Sequence, residues 1–209
     1  KIKLIFVLIF FFNFNLFALE PFDEFKIDKD YFPLKIKNEQ IEIDGELDDL
    51  AWLNVKSISD FIQQHPSNLS EPSKETSVKI AYDSDNLYVA VTLFDDPHKI
   101  ESRNSQYDDW YMGFDNNADY FVVEIDSRHD HQTSFGFAVN SSGVKADYMI
   151  YDDDPEKIDD DWNNKWDAKT LIFDKGWTIE YSIPLKILQF STNVDMGINF
   201  IRYIKRLNE

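Results

Sequence analysis

Apolar and polar residues alternate with a period of two along most of this chain, the pattern of β-strands with one buried face. The clearest cases are VKIAYD (78–83), LYVAVTLF (87–94), DYFVVEID (119–126) and TSFGFAVN (133–140). Four more strands are predicted for VKADYMIY (144–151), KWDAKTLIF (165–173), WTIEYSIP (177–184) and GINFIRYI (197–204). The turn residues SDN, SSG and DKG separate successive segments, which predicts antiparallel hairpins.

Helical patterns are short and few. Asp48 is a candidate N-cap for DDLAWLN, and Pro184 opens the stretch PLKILQF. Roughly nine or ten strands with one or two short helical turns predict an all-β fold. We expect an antiparallel β-sandwich of the jelly-roll or immunoglobulin-like kind, with a closed barrel as the alternative. We find no repeat and no linker, so we expect one domain over residues 35–209, preceded by an extended lead-in over residues 19–34.

The first 18 residues have the layout of a secretory signal peptide. Two lysines precede an apolar run that is too short to span a bilayer comfortably, and the small residue Ala18 suits cleavage after it. The chain has no cysteine, which excludes a disulfide framework, a thiolate metal site and the lipid anchor of a lipoprotein. We therefore expect an exported domain. The ending RYIKRLNE closes an alternating run, so we also expect a piece of a longer protein.

The chain is acidic, with a formal net charge of −18 at pH 7. This charge repels phosphate backbones and anionic lipid headgroups, so nucleic acid is not an expected partner. The same charge favours divalent cations and tolerates neutral ligands.

Sequence signatures of catalysis are missing. The chain has no GxSxG elbow, no HExxH motif, no P-loop and no Rossmann glycine fingerprint. Carboxylates are abundant, but two-carboxylate glycoside hydrolysis needs one acid in an apolar site, whereas the acids here cluster in polar loops. We expect no enzymatic activity from this chain.

Carboxylates around the stretch YDDWYMGFDNNAD are candidate ligands for calcium. They are Asp108, Asp109, Asp115 and Asp119. Tyr120 stands where an EF-hand loop needs its turn glycine, so a calcium site here would have another geometry. The alternative is a solvated acidic loop. A solvated loop is also our interpretation of the acidic stretch DDDPEKIDDDWN (152–163).

Aromatic residues beside polar loop residues form the remaining pattern. A sugar ring can stack its C–H face on an indole or a phenol while its hydroxyls bond to nearby polar groups. The stretches YDDWYMGFDNN (107–117) and DDDWNNKWD (159–167) both offer this mixture. The surface candidates are Tyr107, Trp110 and Trp162. Three other tryptophans are predicted to belong to the core or to cover it: Trp52, Trp166 and Trp177.

Several of these stretches, taken in order, resemble a known family. They are IEIDGELDDLAW (41–52), VKIAYDSDNLYVAVTLFD (78–95), DYFVVEID with FAVNSSG, and GWTIEYSIPLKILQF followed by GINFIRYIKRLNE. Together they resemble the family 9 carbohydrate-binding module, most closely its variant at the N terminus of bacterial outer-membrane β-barrel proteins. The resemblance covers residues 35–209. It implies a β-sandwich, non-catalytic glycan binding and, in some members, structural calcium.

The resemblance also implies positions for a sugar site. Family members hold a sugar between two tryptophans. The first corresponds most nearly to Asn116, with Trp110 and Phe114 as neighbours, and the second lies beyond residue 209. An arginine contact of the family corresponds to Ala138 in this chain.

We therefore expect a non-catalytic module that binds a poly- or oligosaccharide, in the periplasm or at the cell surface and associated with the outer membrane. A C-terminal outer-membrane barrel of the same chain is the second expected partner. One alternative is a structural domain that docks onto that barrel without binding sugar. Another is an accessory domain of a glycoside hydrolase.

Overall fold

The structure is a computed structural model that describes residues 2–5, 28–37, 40–152, 154, 157–190 and 195–209. The strands are β1 (Ile2–Ile5), β2 (Asp28–Tyr31), β3 (Leu34–Lys35), β4 (Ser57–Ile58), β5 (Thr76–Tyr82), β6 (Asn86–Phe94), β7 (Tyr120–Asp126), β8 (Thr133–Asn140), β9 (Lys145–Tyr151), β10 (Ile158–Asp159), β11 (Asp167–Phe173), β12 (Gly176–Pro184) and β13 (Met196–Tyr203). A single α-helical turn in this part of the chain, α1, spans Trp110–Gly113. Short 3-10 turns cover Leu50–Asn54, Pro97–Lys99, Leu185–Ile187 and Lys205–Leu207.

The strands form two sheets, so the predicted β-sandwich is confirmed. One sheet has seven strands in the order β10-β9-β8-β7-β13-β1-β2, and the other has six, with β11-β12-β6-β5-β3 in line and β4 paired to β5. Neighbouring strands are antiparallel except for β1 with β13 and β3 with β5. These two parallel pairs join segments that are far apart in sequence, so no hairpin pattern in the sequence predicts them.

Each of the eight predicted strands is present within two residues of its expected bounds. The two predicted helical segments are single 3-10 turns. The first follows Asp49 rather than Asp48, and the Asp49 carboxylate accepts a hydrogen bond from the backbone N–H of Glu42 instead of capping the turn. No pattern predicted α1. Of the proposed signal peptide, the structure describes only residues 2–5, which form β1; the rest lies outside the described residues, and the signal peptide stays a prediction. Of the described helices, none has the length and apolar character of a membrane span.

The main core lies between the two sheets. Alternate residues of each long strand point inward, and Val78, Val91, Phe121 and Phe137 are fully buried. Trp166 and Trp177 also belong to this core, as predicted, at 6% and 1% exposure. Each large apolar side chain that is buried in this way stabilises the fold by about 1.5–3 kcal/mol.

Residues 40–55, called the strap below, cover the outer face of the six-stranded sheet. Ile41, Trp52 and Val55 of the strap pack on this face. Trp52 is thus a lid, but on the outer face of this sheet rather than on the main core. Gly45 has φ +90° and lies so close to the backbone of Thr170 that a side chain would collide with it, so the tight bend needs glycine.

Candidate ligand-binding cleft

The outer face of the seven-stranded sheet carries the candidate site. Strand register aligns Val122, Ala138 and Ala146 across β7, β8 and β9 on this face. Phe114 packs on this apolar surface and Trp110 lies against its edge, both carried by the loop between β6 and β7 that contains α1. Both faces of this sheet therefore bury apolar residues in its central strands.

Five aromatic rings form a continuous row over this face. The row runs Tyr148, Trp110, Phe114, Tyr120, Tyr203, with successive ring centroids 5.4, 4.9, 5.6 and 5.0 Å apart. Three of the rings are buried, whereas Trp110 and Tyr203 are partly exposed. Next to Trp110, the side chain of Tyr111 is 74% exposed. The buried rings fix the exposed ones in place, because tilted and edge-on aromatic contacts are directional.

A cleft of 880 Å³ opens over this row. Trp110, Tyr111 and Tyr203 line it together with side-chain amides, among them those of Gln64, Asn116, Asn199 and Asn208. Its volume lies in the range of small-molecule sites, which combine apolar walls with a few polar groups. The cleft thus brings aromatic faces and hydrogen-bonding amides together.

Asn140 holds the α1 loop against the sheet. It is fully buried at the end of β8, and its side-chain N–H groups donate to the carbonyl oxygens of Gly113 at 2.7 Å and Arg103 at 2.8 Å. Its side-chain oxygen accepts from the backbone N–H groups of Ser142 and Val144. All of its amide groups are used, so Asn140 positions the loop that carries Trp110.

The far wall of the cleft is fixed by the end of β13. The Tyr203 hydroxyl donates to the side-chain oxygen of Asn116, whose backbone is left-handed at φ +64°. The Arg206 guanidinium makes two hydrogen bonds, of 2.7 and 2.8 Å, to the buried carboxylate of Asp95. Burial alone would raise the pKa of Asp95, but the bonds and the positive charge of Arg206 outweigh it and hold this pKa below its ordinary value.

Three of the five residues predicted to bind glycan meet at the cleft: Trp110, Phe114 and Asn116. Phe114 is 1% exposed, so its ring supports Trp110 from behind rather than offering a free face. Ala138, the position that the resemblance matches to an arginine, is buried in the sheet beneath them.

The other two predicted residues lie elsewhere. Trp162 packs its ring 5.0 Å from Phe135 and 6.1 Å from Phe137, on the inward side of the seven-stranded sheet. Trp162 is only partly buried there and does not line the cleft, so its role as a sugar platform stays a prediction. Tyr107 is 44% exposed, and its hydroxyl donates to the buried carboxylate of Asp147. It does not line the cleft.

The four carboxylates predicted for calcium serve separate local roles. Asp109 caps α1 by accepting from the backbone N–H of Met112, and Asp119 is buried and accepts from the backbone N–H of Lys205 at 2.8 Å. Asp108 accepts from the backbone N–H of Asp147. Burial, together with the charge of Asp147, raises the pKa of Asp108 to about 6.

Asp115 is exposed beside Asn116. Across the described ranges, no group of three or more histidine, aspartate or glutamate side chains could hold a metal ion. Calcium binding stays a prediction.

Sequence reasoning did not single out Tyr203, Tyr148 or Asn140 as parts of the site. For Tyr203 a signal existed. The alternation over residues 197–204 places Asn199 and Tyr203 on the face opposite Ile198 and Phe200, and a polar and aromatic outer face marks a surface that needs a partner. No comparable signal identifies Asn140, since its role depends on a loop that is distant in sequence.

Comparison with known proteins places the chain in a family. The family described as carbohydrate family 9 binding domain-like matches residues 43–205, so the chain belongs to it. A family 9 carbohydrate-binding module of Caldicellulosiruptor kristjanssonii, solved in complex with cellotriose, superposes with a TM-score of 0.57 at 20% identity, covering 82% of this chain and 76% of that one.

The structure of a family 9 module from the same organism in complex with glucose gives a TM-score of 0.56 at 20% identity, covering 82% of this chain and 78% of that one. A search of curated proteins found no match. At this identity the structures establish a shared fold.

Proposed function

We propose that this domain binds a saccharide, without catalysis, in the cleft over the aromatic row. The observation that carries the proposal is Trp110, a partly exposed residue held on the buried rings of Phe114 and Tyr148, in a cleft that Tyr111, Tyr203 and several side-chain amides also line. Membership of the family supports it, as do the complexes of the two Caldicellulosiruptor kristjanssonii modules with cellotriose and glucose.

The chemistry of the cleft suits a sugar. A pyranose ring presents apolar C–H groups on its faces and hydroxyls around its edge. An indole held rigidly at Trp110 stacks on such a face, while amides such as Gln64 and Asn208 can donate to one hydroxyl and accept from another. Because the ring is already fixed by Phe114 and Tyr148, binding loses little side-chain entropy at this position.

Titration calorimetry with cellotriose and a panel of other soluble oligosaccharides tests the proposal. We expect Trp110→Ala to weaken binding by about 10- to 100-fold. This factor corresponds to a loss of about 1.4–2.8 kcal/mol in binding free energy, which is usual when an aromatic anchor is truncated. Tyr151→Ala is the matched control, because Tyr151 is a partly exposed aromatic residue outside the cleft. Circular dichroism checks that both variants fold. Equal affinities of the wild type and Trp110→Ala would refute this site, and no binding to any sugar would refute the function.

The same preparation tests the absence of catalysis. We expect no release of reducing ends from the oligosaccharides that it binds. Steady release would contradict binding without catalysis, and release that Trp110→Ala does not abolish would place the activity at another site.

The proposal extends to a cellular context. The layout of residues 1–18 and the resemblance to outer-membrane variants of the family support export to the periplasm or the cell surface and attachment to a following barrel. Fractionation of cells that express the full reading frame tests this context. Recovery of the protein with the outer membrane would support it, and recovery in the cytoplasm would contradict it.

A further inference from the structure

The charges around the cleft are uneven. Asp115 and Asp160 line it and are exposed. Asp115 is close enough to Tyr203 that its negative charge contributes, after burial, to raising the pKa of that hydroxyl. The two carboxylates stand on different elements, one after α1 and the other after β10.

Both cations that line the cleft already have partners within the protein. The Arg202 guanidinium donates to the carbonyl oxygens of Glu75 at 2.8 Å and Phe94 at 2.9 Å, and its side chain is only 8% exposed. The Lys74 ammonium lies 3.8 Å from the buried carboxylate of Asp95. Arg202 cannot turn toward a ligand without leaving these carbonyl acceptors unpaired, which is costly. Lys74 is attracted to Asp95, a carboxylate that Arg206 already pairs with.

Histidine is the remaining basic residue at the cleft, and His65 adds no formal charge at pH 7. Glu209 also lines the cleft, and its carboxylate accepts from the backbone N–H and the hydroxyl of Ser73. Three carboxylates thus stand against two cations at the cleft, and with the net charge of −18 they make its field negative. Such a field attracts cations and repels anions in proportion to their charge, and salt screens it.

From this arrangement we infer that the cleft selects its glycan by charge: sugars with protonated amines bind better than their N-acetylated counterparts, and sugars with carboxylate or sulfate groups are rejected. Asp115 and Asp160 are the residues that determine this specificity. The inference rests on the proposed function, since it concerns the same cleft. It adds a chemical class of ligand, a polysaccharide with free amino groups, to neutral glycans.

The test compares glucosamine oligomers with N-acetylglucosamine oligomers of equal length by calorimetry, at low ionic strength and at pH 7, where an amine of ordinary α-amino pKa is still mostly protonated. We expect the amine form to bind about three- to tenfold more tightly, the combined effect expected of two exposed ion pairs. Glucuronic acid oligomers should bind more weakly than either. Added salt should reduce the preference, because it screens exposed pairs.

The double variant Asp115→Asn/Asp160→Asn isolates the two carboxylates. It should lower the affinity ratio between the amine and acetyl forms about three- to tenfold relative to the wild type, whereas Asp48→Asn/Asp174→Asn removes the same charge away from the cleft and should leave the ratio unchanged. Comparing each variant's ratio with the wild-type ratio cancels any steric effect of the acetyl group.

The charge inference and the proposed sugar binding are contradicted by different results. If cellotriose binds but the ratio in the wild type is one or lower, the charge inference is wrong and sugar binding stands. The same conclusion follows if both double variants change the ratio equally. If no oligomer binds, cellotriose included, the proposed function itself is wrong.

Discussion

Removing the carboxylate of Glu180 should release the strap from the six-stranded sheet. Glu180 is fully buried on β12. One carboxylate oxygen accepts from the Trp52 indole N–H at 2.9 Å, and the other accepts from the backbone N–H groups of Gly45 at 3.0 Å and Asp44 at 3.2 Å. All three donors belong to the strap, so this single side chain supplies the acceptor for N–H groups that would otherwise be buried without one.

The magnitude of the loss follows from those donors. In Glu180→Ala the N–H groups of Trp52 and Gly45 lose their acceptor inside a buried region, and each unsatisfied group costs about 1–3 kcal/mol. The Asp44 N–H can reach water, because that residue is exposed. Relief from burying a carboxylate offsets part of the cost. We expect a net destabilisation of about 3 kcal/mol, measured by urea unfolding followed through tryptophan fluorescence.

Glu180 also makes stability depend on pH. Burial raises the pKa of its carboxyl from 4.5 to about 7. Between these two values the folded protein holds a proton that the unfolded chain has released, so the free energy of unfolding falls as pH rises through this window. A shift of this size corresponds to at most about 3 kcal/mol. The difference in free energy of unfolding between the wild type and Glu180→Ala should therefore be larger near pH 5 than near pH 7.

Glu46→Ala is the matched control, because Glu46 is an exposed carboxylate on the same strap. It should change stability by less than about 0.5 kcal/mol at either pH. Two results would refute the reasoning: a loss in Glu180→Ala no larger than that of the control, or a loss that is the same at both pH values. The first would mean that the strap does not depend on Glu180, and the second that its carboxyl titrates normally.

Three further outcomes are expected. Arg206→Ala should lower the free energy of unfolding by about 3 kcal/mol, since it leaves the buried carboxylate of Asp95 without its main partner. Because the pKa of Asp95 is lowered in the folded state, the wild-type advantage over this variant is present above about pH 4 and is lost on acidification; a pH-independent difference in urea unfolding would contradict this. Gly136→Ala should lower the free energy of unfolding by about 1–3 kcal/mol and weaken sugar binding, because the added methyl group would lie 2.2 Å from the Tyr148 ring. A variant that binds sugar with full affinity would show that this ring does not support the cleft. If calcium binds the loop carboxylates, millimolar calcium should raise the melting temperature and a chelator should reverse the rise; an unchanged melting temperature would count against that prediction.

The sandwich was predictable because its signal is local. Side chains on neighbouring positions of a strand point to opposite faces, so an alternating stretch such as residues 133–140 identifies both the strand and its buried side. The sequence also placed Trp110 and Asn116 at the candidate cleft, the first because it lacked apolar periodic partners and the second through the family resemblance. Trp166 and Trp177 were assigned to the core by the same alternation.

Other features depend on contacts between residues that are distant along the chain, and local sequence patterns do not predict such contacts. Trp110 and Trp162 look alike as aromatic residues in acidic loops, yet one lines the cleft and the other covers inward-facing phenylalanines, because the return paths of their loops differ. Glu180 and Asp95 look like surface acids in a highly acidic chain, and both are buried with dedicated donors. Local residue types decide where strands form and which residues share a face. Only the tertiary structure decides what covers each face, since an aromatic row, a buried carboxylate or a cleft needs side chains from elements that are far apart along the chain.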